Sequence, residues 1–335
     1  MDDIDGIPSL AQELSDLELA LLLCLGGQEH CLIETDESSI NDVAAELALI
    51  CSHTFDLEYT VVECSETTSL EEFRDQICIS TSRTDKLDIE RRHRTVNAVI
   101  AKNLDHASDS IQLEALELMR SKRLATKAGV LEAPEHFLFV PVVARDAGQV
   151  QPKLNTHLID HLIISHLHES DDGYVYLEDD DDDWHSVGEE SLSSVVHRTG
   201  TRESRHPRVQ HQLLDKLGTA SKAVRVTAEL IRYQQDIVVF LRLSRAVAGG
   251  ISARSNIHFT KLAKLLAVIH GISYLTPSII ALAAKKVFRH RIVVAKPEDD
   301  RSLQYGSDLR AVAKVLEYAT PDTILESVLT LEAPL

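Results

Sequence analysis

Apolar residues in the first half of the chain come in short unbroken runs, separated by stretches where they recur every three or four positions. Cys31-Leu32-Ile33, YTVVEC (59–64), VNAVIA (96–101), HFLFVPVVA (136–144) and LIISH (162–166) are runs of the first kind. They predict strands buried on both faces. Val43, Ala44, Leu47, Ile50 and Cys51 recur at helical spacing. SDSIQLEALELMRSKRLA (108–125) predicts a further helix, capped by Ser108 or Ser110. Ser15 with Glu18 three residues on is a capping box that opens a helix over Leu17 to Leu25. Strands and helices that alternate in this way predict an α/β fold over 1–168, a parallel sheet with helices on both faces.

The pattern then changes. Residues 169–218, with EDDDDDWHSVGEESLSS and HRTGTRESRHP, are charged and poor in apolar residues, and they read as a disordered insert or linker. From Thr219 helical spacing dominates: 226–248 and 257–270 carry it, and Thr276-Pro277 has the cap-and-proline start of another helix. Lys285, Lys286, Arg289 and Arg291 gather near that helix's end, where the helix dipole favours cations. This gives an all-α unit over 219–297 and short C-terminal helices, after Ser307 and Thr320, within 298–335.

In a parallel sheet ligands bind beyond the C-terminal strand ends, so the turn after Cys31-Leu32-Ile33 is the place to look for chemistry. A phosphate-binding loop there needs G-x-x-x-x-G-K-[ST]. The turn from Thr35 to Asp42 contains no glycine and no lysine.

The order of segments nevertheless resembles a AAA+ module of the MoxR and magnesium-chelatase ATPase-subunit type. HCLIETDESSINDVAAEL sits where that family has strand, phosphate loop and helix. VIAKNLDHASDSIQLEALELMRSKRLAT resembles its D-E-I-N-R-A stretch, and LEAPEHFLFVPVVARD its proline-bearing hairpin and first-sensor strand. LIDHLIISH resembles the L-x-D-R-F motif. GGISARSNIHFTKLAKLLAVIHGISYLTPSIIALAAKKVFRHRI resembles the helical lid with its second-sensor arginine and terminal R-H-R. The resemblance covers about 30–168 and 219–293, and implies a P-loop NTPase-like core followed by an all-α lid.

Residue by residue, the resemblance puts the phosphate lysine at Asn41 and the magnesium-binding Thr/Ser at Asp42. The acidic metal-and-water pair falls at Lys102 and Asn103, the first-sensor asparagine region at Ala144-Arg145-Asp146, and the D-R-F arginine at His161. Only the lid arginine is kept, as Arg254. Lysine is required to reach the β and γ phosphates. Ser39 is expected to cap the helix with Asp42 at its third position and Asp36 and Glu37 nearby, and these acids repel a phosphate where it should dock. Lys102 is expected to pair with one of them. The reading is a catalytically degenerate AAA+ protein, a pseudo-ATPase acting as scaffold or partner subunit. No cofactor is expected; ATP with Mg²⁺ enters only if the rewritten site still binds it. Arg254 is the residue left for an anion contact, with pairing to neighbouring acids the equal alternative. The alternative is an ATPase subunit of a magnesium-chelatase-type complex that inserts Mg²⁺ into a porphyrin.

Composition sharpens the partner question. The formal charge is −19, but residues 201–300 hold 17 Lys+Arg against 7 Asp+Glu, which leaves −29 for the remainder. An acidic first domain and a basic second one suit protein partners, in a homo- or hetero-oligomer joined head to tail. Nucleic-acid binding is disfavoured by the net charge and by 4% aromatic residues. No run approaches the roughly 18 apolar residues of a membrane span, and the acidic N-terminus lacks a signal-peptide pattern. The five cysteines form no C-x-x-C pair and read as small buried hydrophobes, which makes the cytoplasm the expected compartment, with the nucleus left open. His157 and His161 have metal-like i, i+4 spacing, with His166 and His168 nearby, but no glutamate follows the first histidine, so structural histidines are the simpler reading. Asp179–Asp183 reads as a solvated run rather than a calcium loop, and Ser186 before Gly188-Glu189-Glu190 as an acid-directed phosphorylation pattern.

Overall fold

The computed structural model describes residues 6–78, 94–126, 129–145, 153–177 and 207–330. Two helices, α1 (Gly6–Glu13) and α2 (Asp16–Gly27), precede the sheet. The core then runs β1 (His30–Thr35), α3 (Ile40–His53), β2 (Tyr59–Glu63), α4 (Leu70–Ile77), β3 (Ala98–Lys102) and α5 (Asp109–Ser121). A hairpin of β4 (Arg123–Thr126) and β5 (Gly129–Glu132) follows, then β6 (Leu138–Ala144), α6 (Thr156–His161) and β7 (Leu162–Leu167). The five long strands form one parallel sheet in the order β2-β3-β6-β1-β7.

Alternation along each strand explains why the apolar runs are unbroken. Cys31, Ile33, Ala98, Ile100, Leu138, Val140 and Val142 enter one core with α2, α3 and the later helices. Leu32, Val99, Ala101, Phe139 and Val143 enter a second core with α4, α5 and α6. Successive side chains point to opposite faces and both faces are covered, so every position must be apolar. The helix from Ser15 has its capping box in place, with the Ser15 N–H donating to Glu18 Oε2 at 2.8 Å.

The second unit is helical: α7 (His211–Ala223), α8 (Ala228–Leu243), α9 (Ala253–Ile269) and α10 (Pro277–Phe288), then α11 (Leu309–Leu316) and α12 (Pro321–Leu329). Thr276 caps α10 through the Ile279 N–H, with Pro277 at its start. The 226–248 helix stops earlier than its pattern predicts. Leu243 ends it, and Val247–Gly249 (β8) pairs with Val293–Val294 (β9). α7 packs on α2 where two glycines meet: a Cβ on Gly218 would lie 2.8 Å from the Gly26 carbonyl oxygen.

The 169–218 stretch is corrected at both ends. α7 begins at His211, because Leu214 and Leu217 seat in the core despite the polar composition. Upstream, Tyr176 is buried: its hydroxyl lies 2.9 Å from Glu18 Oε1 and 2.5 Å from Thr54 Oγ1. Its N–H and that of Leu177 donate to the Glu46 carboxylate at 3.0 and 3.1 Å. Downstream, the Val209 N–H donates to the Thr54 carbonyl at 2.7 Å. Asp179–Asp183 and Ser186 lie outside the described residues, as does Asp146.

Candidate functional site

The chain leaves β1 towards β2 on one side and leaves β6 towards β7 on the other, which opens a crevice above the C-terminal ends of β1 and β6. Thr35 ends β1, and the Arg145 N–H, just past β6, donates to its carbonyl at 2.7 Å. A short 3-10 turn, Glu37–Ser39, delivers the chain into α3, and buried Ile40 fixes the entry. Ser39 is the residue before α3, but its side chain makes no capping hydrogen bond; the preceding turn holds it at φ −98°, ψ −2°, away from the extended geometry a cap needs. The expected Ser39 cap is therefore corrected. Asp36, Glu37, Asn41 and Asp42 are exposed around this turn.

The register β3–β6–β1 puts Lys102 level with Val142 and Ile33, at the same end of the sheet. Lys102 Nζ donates to Asn41 Oδ1 at 2.8 Å. The two positions to which the resemblance assigns the phosphate lysine and the first metal acid, Asn41 and Lys102, thus touch directly. The expected carboxylate partner is also corrected. Lys102 forms its ion pair with Glu63, which ends the adjacent β2, and not with Asp36, Glu37 or Asp42. Glu63 lies beside Lys102 in the parallel ladder, so the strand alignment makes the pair. Asn103, in the left-handed region at φ 53°, donates through Nδ2 to Glu63 Oε1 at 2.9 Å. Partial burial pushes the Glu63 carboxyl up, but the bonds from Lys102 and Asn103 outweigh it and hold the carboxyl below its ordinary range. Asp42 makes none of these contacts.

Arg254 is elsewhere. It begins α9, where Nε lies 3.7 Å from Asp160 Oδ2 and Nη1 3.3 Å from His161 Nδ1. Asp160 Oδ1 also accepts the Ser252 hydroxyl at 2.5 Å. Asp160 and His161 precede β7, whose first residue, Leu162, pairs with His30 at the start of β1. Arg254 and His161 therefore stand at the N-terminal edge of the sheet, and Asn41, Asp42, Lys102 and Asn103 at the C-terminal edge.

The N-terminal edge carries a polar seam between core and lid that the sequence did not single out. Lys261 donates to Glu29 Oε1 at 2.5 Å, and His258 Nε2 lies 3.4 Å from Glu29 Oε2. Arg291 Nη2 donates to His258 Nδ1 at 2.6 Å and to the Leu162 carbonyl at 2.6 Å. His290 Nε2 donates to that same carbonyl at 2.9 Å. Burial pushes the Glu29 carboxyl up, yet His258 and Lys261 bring it down to about 2. The available signal was R-H-R closing an apolar helix, because arginine and histidine inside a core need acceptors.

His157 and His161 do not converge on a metal. His157 is exposed, and His161 faces Arg254. His166 and His168 stack at 6.2 Å at the other end of β7. Among the described residues no group of three or more His, Cys, Asp or Glu is placed to hold a metal ion. No helix among them is long and apolar enough to cross a membrane.

Comparison with known proteins fixes the class. Residues 240–312 match the AAA lid domain family. A solved chain from Cytophaga hutchinsonii that carries the name of an ATPase superposes over 97% of this chain and 94% of its own, with TM-score 0.61 and 13% identity. The fold is that of the AAA+ P-loop NTPases: a parallel-sheet core followed by a helical lid. Among curated proteins, two named maintenance of telomere capping protein 2 are similar over part of the chain. The Lachancea thermotolerans protein is 31% identical over 110 residues, 31% of this chain and 39% of its own length. The Kluyveromyces lactis protein is 31% identical over 90 residues, 25% of this chain and 33% of its own. The match thus spans well under half the length of either relative.

Proposed function

We propose that this chain is a catalytically degenerate AAA+ protein that works as a scaffold or partner subunit in an assembly. The bond from Lys102 to Asn41 carries the reading. A nucleotide triphosphate with Mg²⁺ needs a cation in the loop and carboxylates at the strand end. Here an amide stands in the loop and a cation at the strand end, and that cation is neutralised by Glu63. Asp36, Glu37 and Asp42 add negative charge where phosphates would approach. Calorimetric titration with ATP, with and without Mg²⁺, is expected to give no saturable heat up to about 1 mM, an affinity weaker than about −4 kcal/mol. Micromolar binding would overturn the reading.

Assembly follows from the two edges. The acidic turn lies at the C-terminal edge of the sheet and Arg254, with 43% of its side chain exposed, at the N-terminal edge. One molecule cannot bring them together, but two stacked head to tail can, through a heterologous contact able to close a ring. Exposed charge pairs are screened beyond about 10 Å at 0.1 M salt. Light scattering is therefore expected to show oligomers at about 20 mM salt that dissociate at about 500 mM, and Arg254→Glu should weaken them. A strict monomer at low salt would count against this arrangement.

A further inference from the structure

Beside the seam, and sharing Arg291 with it, lies a second feature on the opposite edge of the sheet from the turn after β1. A cavity of about 410 Å³ opens between α6 (Thr156, His157, Ile159, Asp160) and the lid segment Val247–Ser252, with Arg242, Arg291 and Val293 completing its wall. The volume is that of a small-molecule site. Arg291 is only 2% exposed. Its Nη2 is engaged by the Leu162 and Asp160 carbonyls and His258, while Nε and Nη1 meet no acceptor among the described residues. A buried guanidinium with unanswered N–H groups is costly, and such groups call for an acceptor such as water or an ion. The nearby carboxylate, Asp160, is already shared between Ser252 and Arg254. Arg242 adds a second positive charge; its Nε and Nη2 donate to the Ile251 and Ser252 carbonyls, at 3.1 and 3.2 Å. The rest of the wall is short and apolar: Ile159, Val247, Ala248, Ile251 and Val293, around Gly249 and Gly250.

We propose that this cavity binds a small anion, a carboxylate or phosphate group held by Arg291 and Arg242 with a short apolar body against Val247, Ile251 and Val293, and that the anion clamps the lid to the core. Guanidinium groups suit both kinds of head group through paired N–H···O bonds. The wall is built from α6 of the core and from the lid, so an occupant contacts both units. A ligand that binds only the closed, folded form raises its stability by mass action.

The test is a melting-temperature series on the full chain at pH 7.5, at fixed ionic strength, in chloride, inorganic phosphate or hexanoate. A saturable rise of about 2–5 °C is expected at about 100 times Kd in at least one of the two anions and not in chloride. A rise with phosphate alone assigns a phosphate head group, and a rise with hexanoate alone a carboxylate with its apolar tail. Gly249→Leu is the blocking variant, because a Cβ at Gly249 meets nothing within 4 Å and the added side chain is tolerated at the cavity wall. It should melt as wild type does in chloride and lose the anion-dependent rise. Arg242→Gln should raise the concentration needed for the half-maximal rise at least tenfold. The proposal fails if neither anion gives a saturable rise, or if Gly249→Leu responds as wild type does, which would place the anion elsewhere on the molecule.

Discussion

Acidification from about pH 6.5 to 4 will strip this chain of most of its stability. His30 is buried at the start of β1, where Nδ1 accepts the Phe139 N–H at 3.1 Å and the ring stands edge-on to Phe137. Burial pushes its imidazole down to about 4. His166 on β7, 6% exposed, is also pushed down to about 4 by burial. The unfolded chain takes up these protons near pH 6.5 and the folded chain only near 4, so between those values protons favour unfolding. Each fully buried histidine contributes a slope of about 1.4 kcal/mol per pH unit, and the two together remove about 4–6 kcal/mol by pH 4. That is comparable with the roughly 5–15 kcal/mol that holds a domain folded. His161 is also lowered to about 4, by burial and then by Arg254, but it is partly exposed and solvent screening shrinks its share. Glu29 extends the loss further. Its carboxyl is held at about 2, so its contribution is complete above about pH 4.5 and disappears as the pH falls towards 2. Urea midpoints followed by circular dichroism at pH 7.5, 6.5, 5.5 and 4.5 measure the slope. His30→Gln, which keeps an acceptor for Phe139, should remove about one proton's worth of it. A midpoint that stays flat down to pH 4.5 would refute the account.

Gly250→Val is expected to be among the most damaging single substitutions in the lid, with a loss of about 2–6 kcal/mol. Gly250 has φ +94°, a region in which a β-branched residue is strained by about 1–3 kcal/mol. A Cβ there would also lie 1.6 Å from the Arg291 carbonyl oxygen. Backbone must move to relieve the clash, and that backbone carries the guanidinium bonded to Leu162 and His258. The overpacking cost of about 1–3 kcal/mol therefore adds to the strain. Gly249→Ala next door should change stability by less than about 1 kcal/mol, since its Cβ meets open space. Chemical unfolding of the two variants side by side decides the matter; a Gly250→Val loss below about 1 kcal/mol would contradict the geometry.

The sheet was legible because its inner strands β1, β3 and β6 are buried on both faces. A run such as Phe137 to Val143 has no polar position that a helix or a surface strand would require. The meeting of Asn41 and Lys102 was legible in part: the resemblance assigns both to one site, and the fold brings them within hydrogen-bonding distance. Which acid answers Lys102 was not. That depends on β2 and β3 ending level, a register property that neither strand's own composition encodes. The nearest acids in sequence lay on the loop, and the nearest in space lay one strand away. That Arg254 pairs with an acid was legible; that the acid is Asp160, at the other edge of the sheet, was not. Composition hid α7 and the Tyr176 anchor. Both are short apolar contacts inside a stretch dominated by charge, and the only cue was tyrosines at 174 and 176 and leucines at 214 and 217.

Thr54 meets the chain twice, at Tyr176 through its hydroxyl and at Val209 through its carbonyl. Tyr176 and Val209, thirty-three positions apart in the chain, are thus both held at one threonine. Closing such a connection costs only about 0.6 kcal/mol more for each doubling of its length. Lengthening the connection between Tyr176 and Val209 therefore adds little to the cost of holding both at Thr54, and residues inserted there are expected to leave sheet and lid as they are.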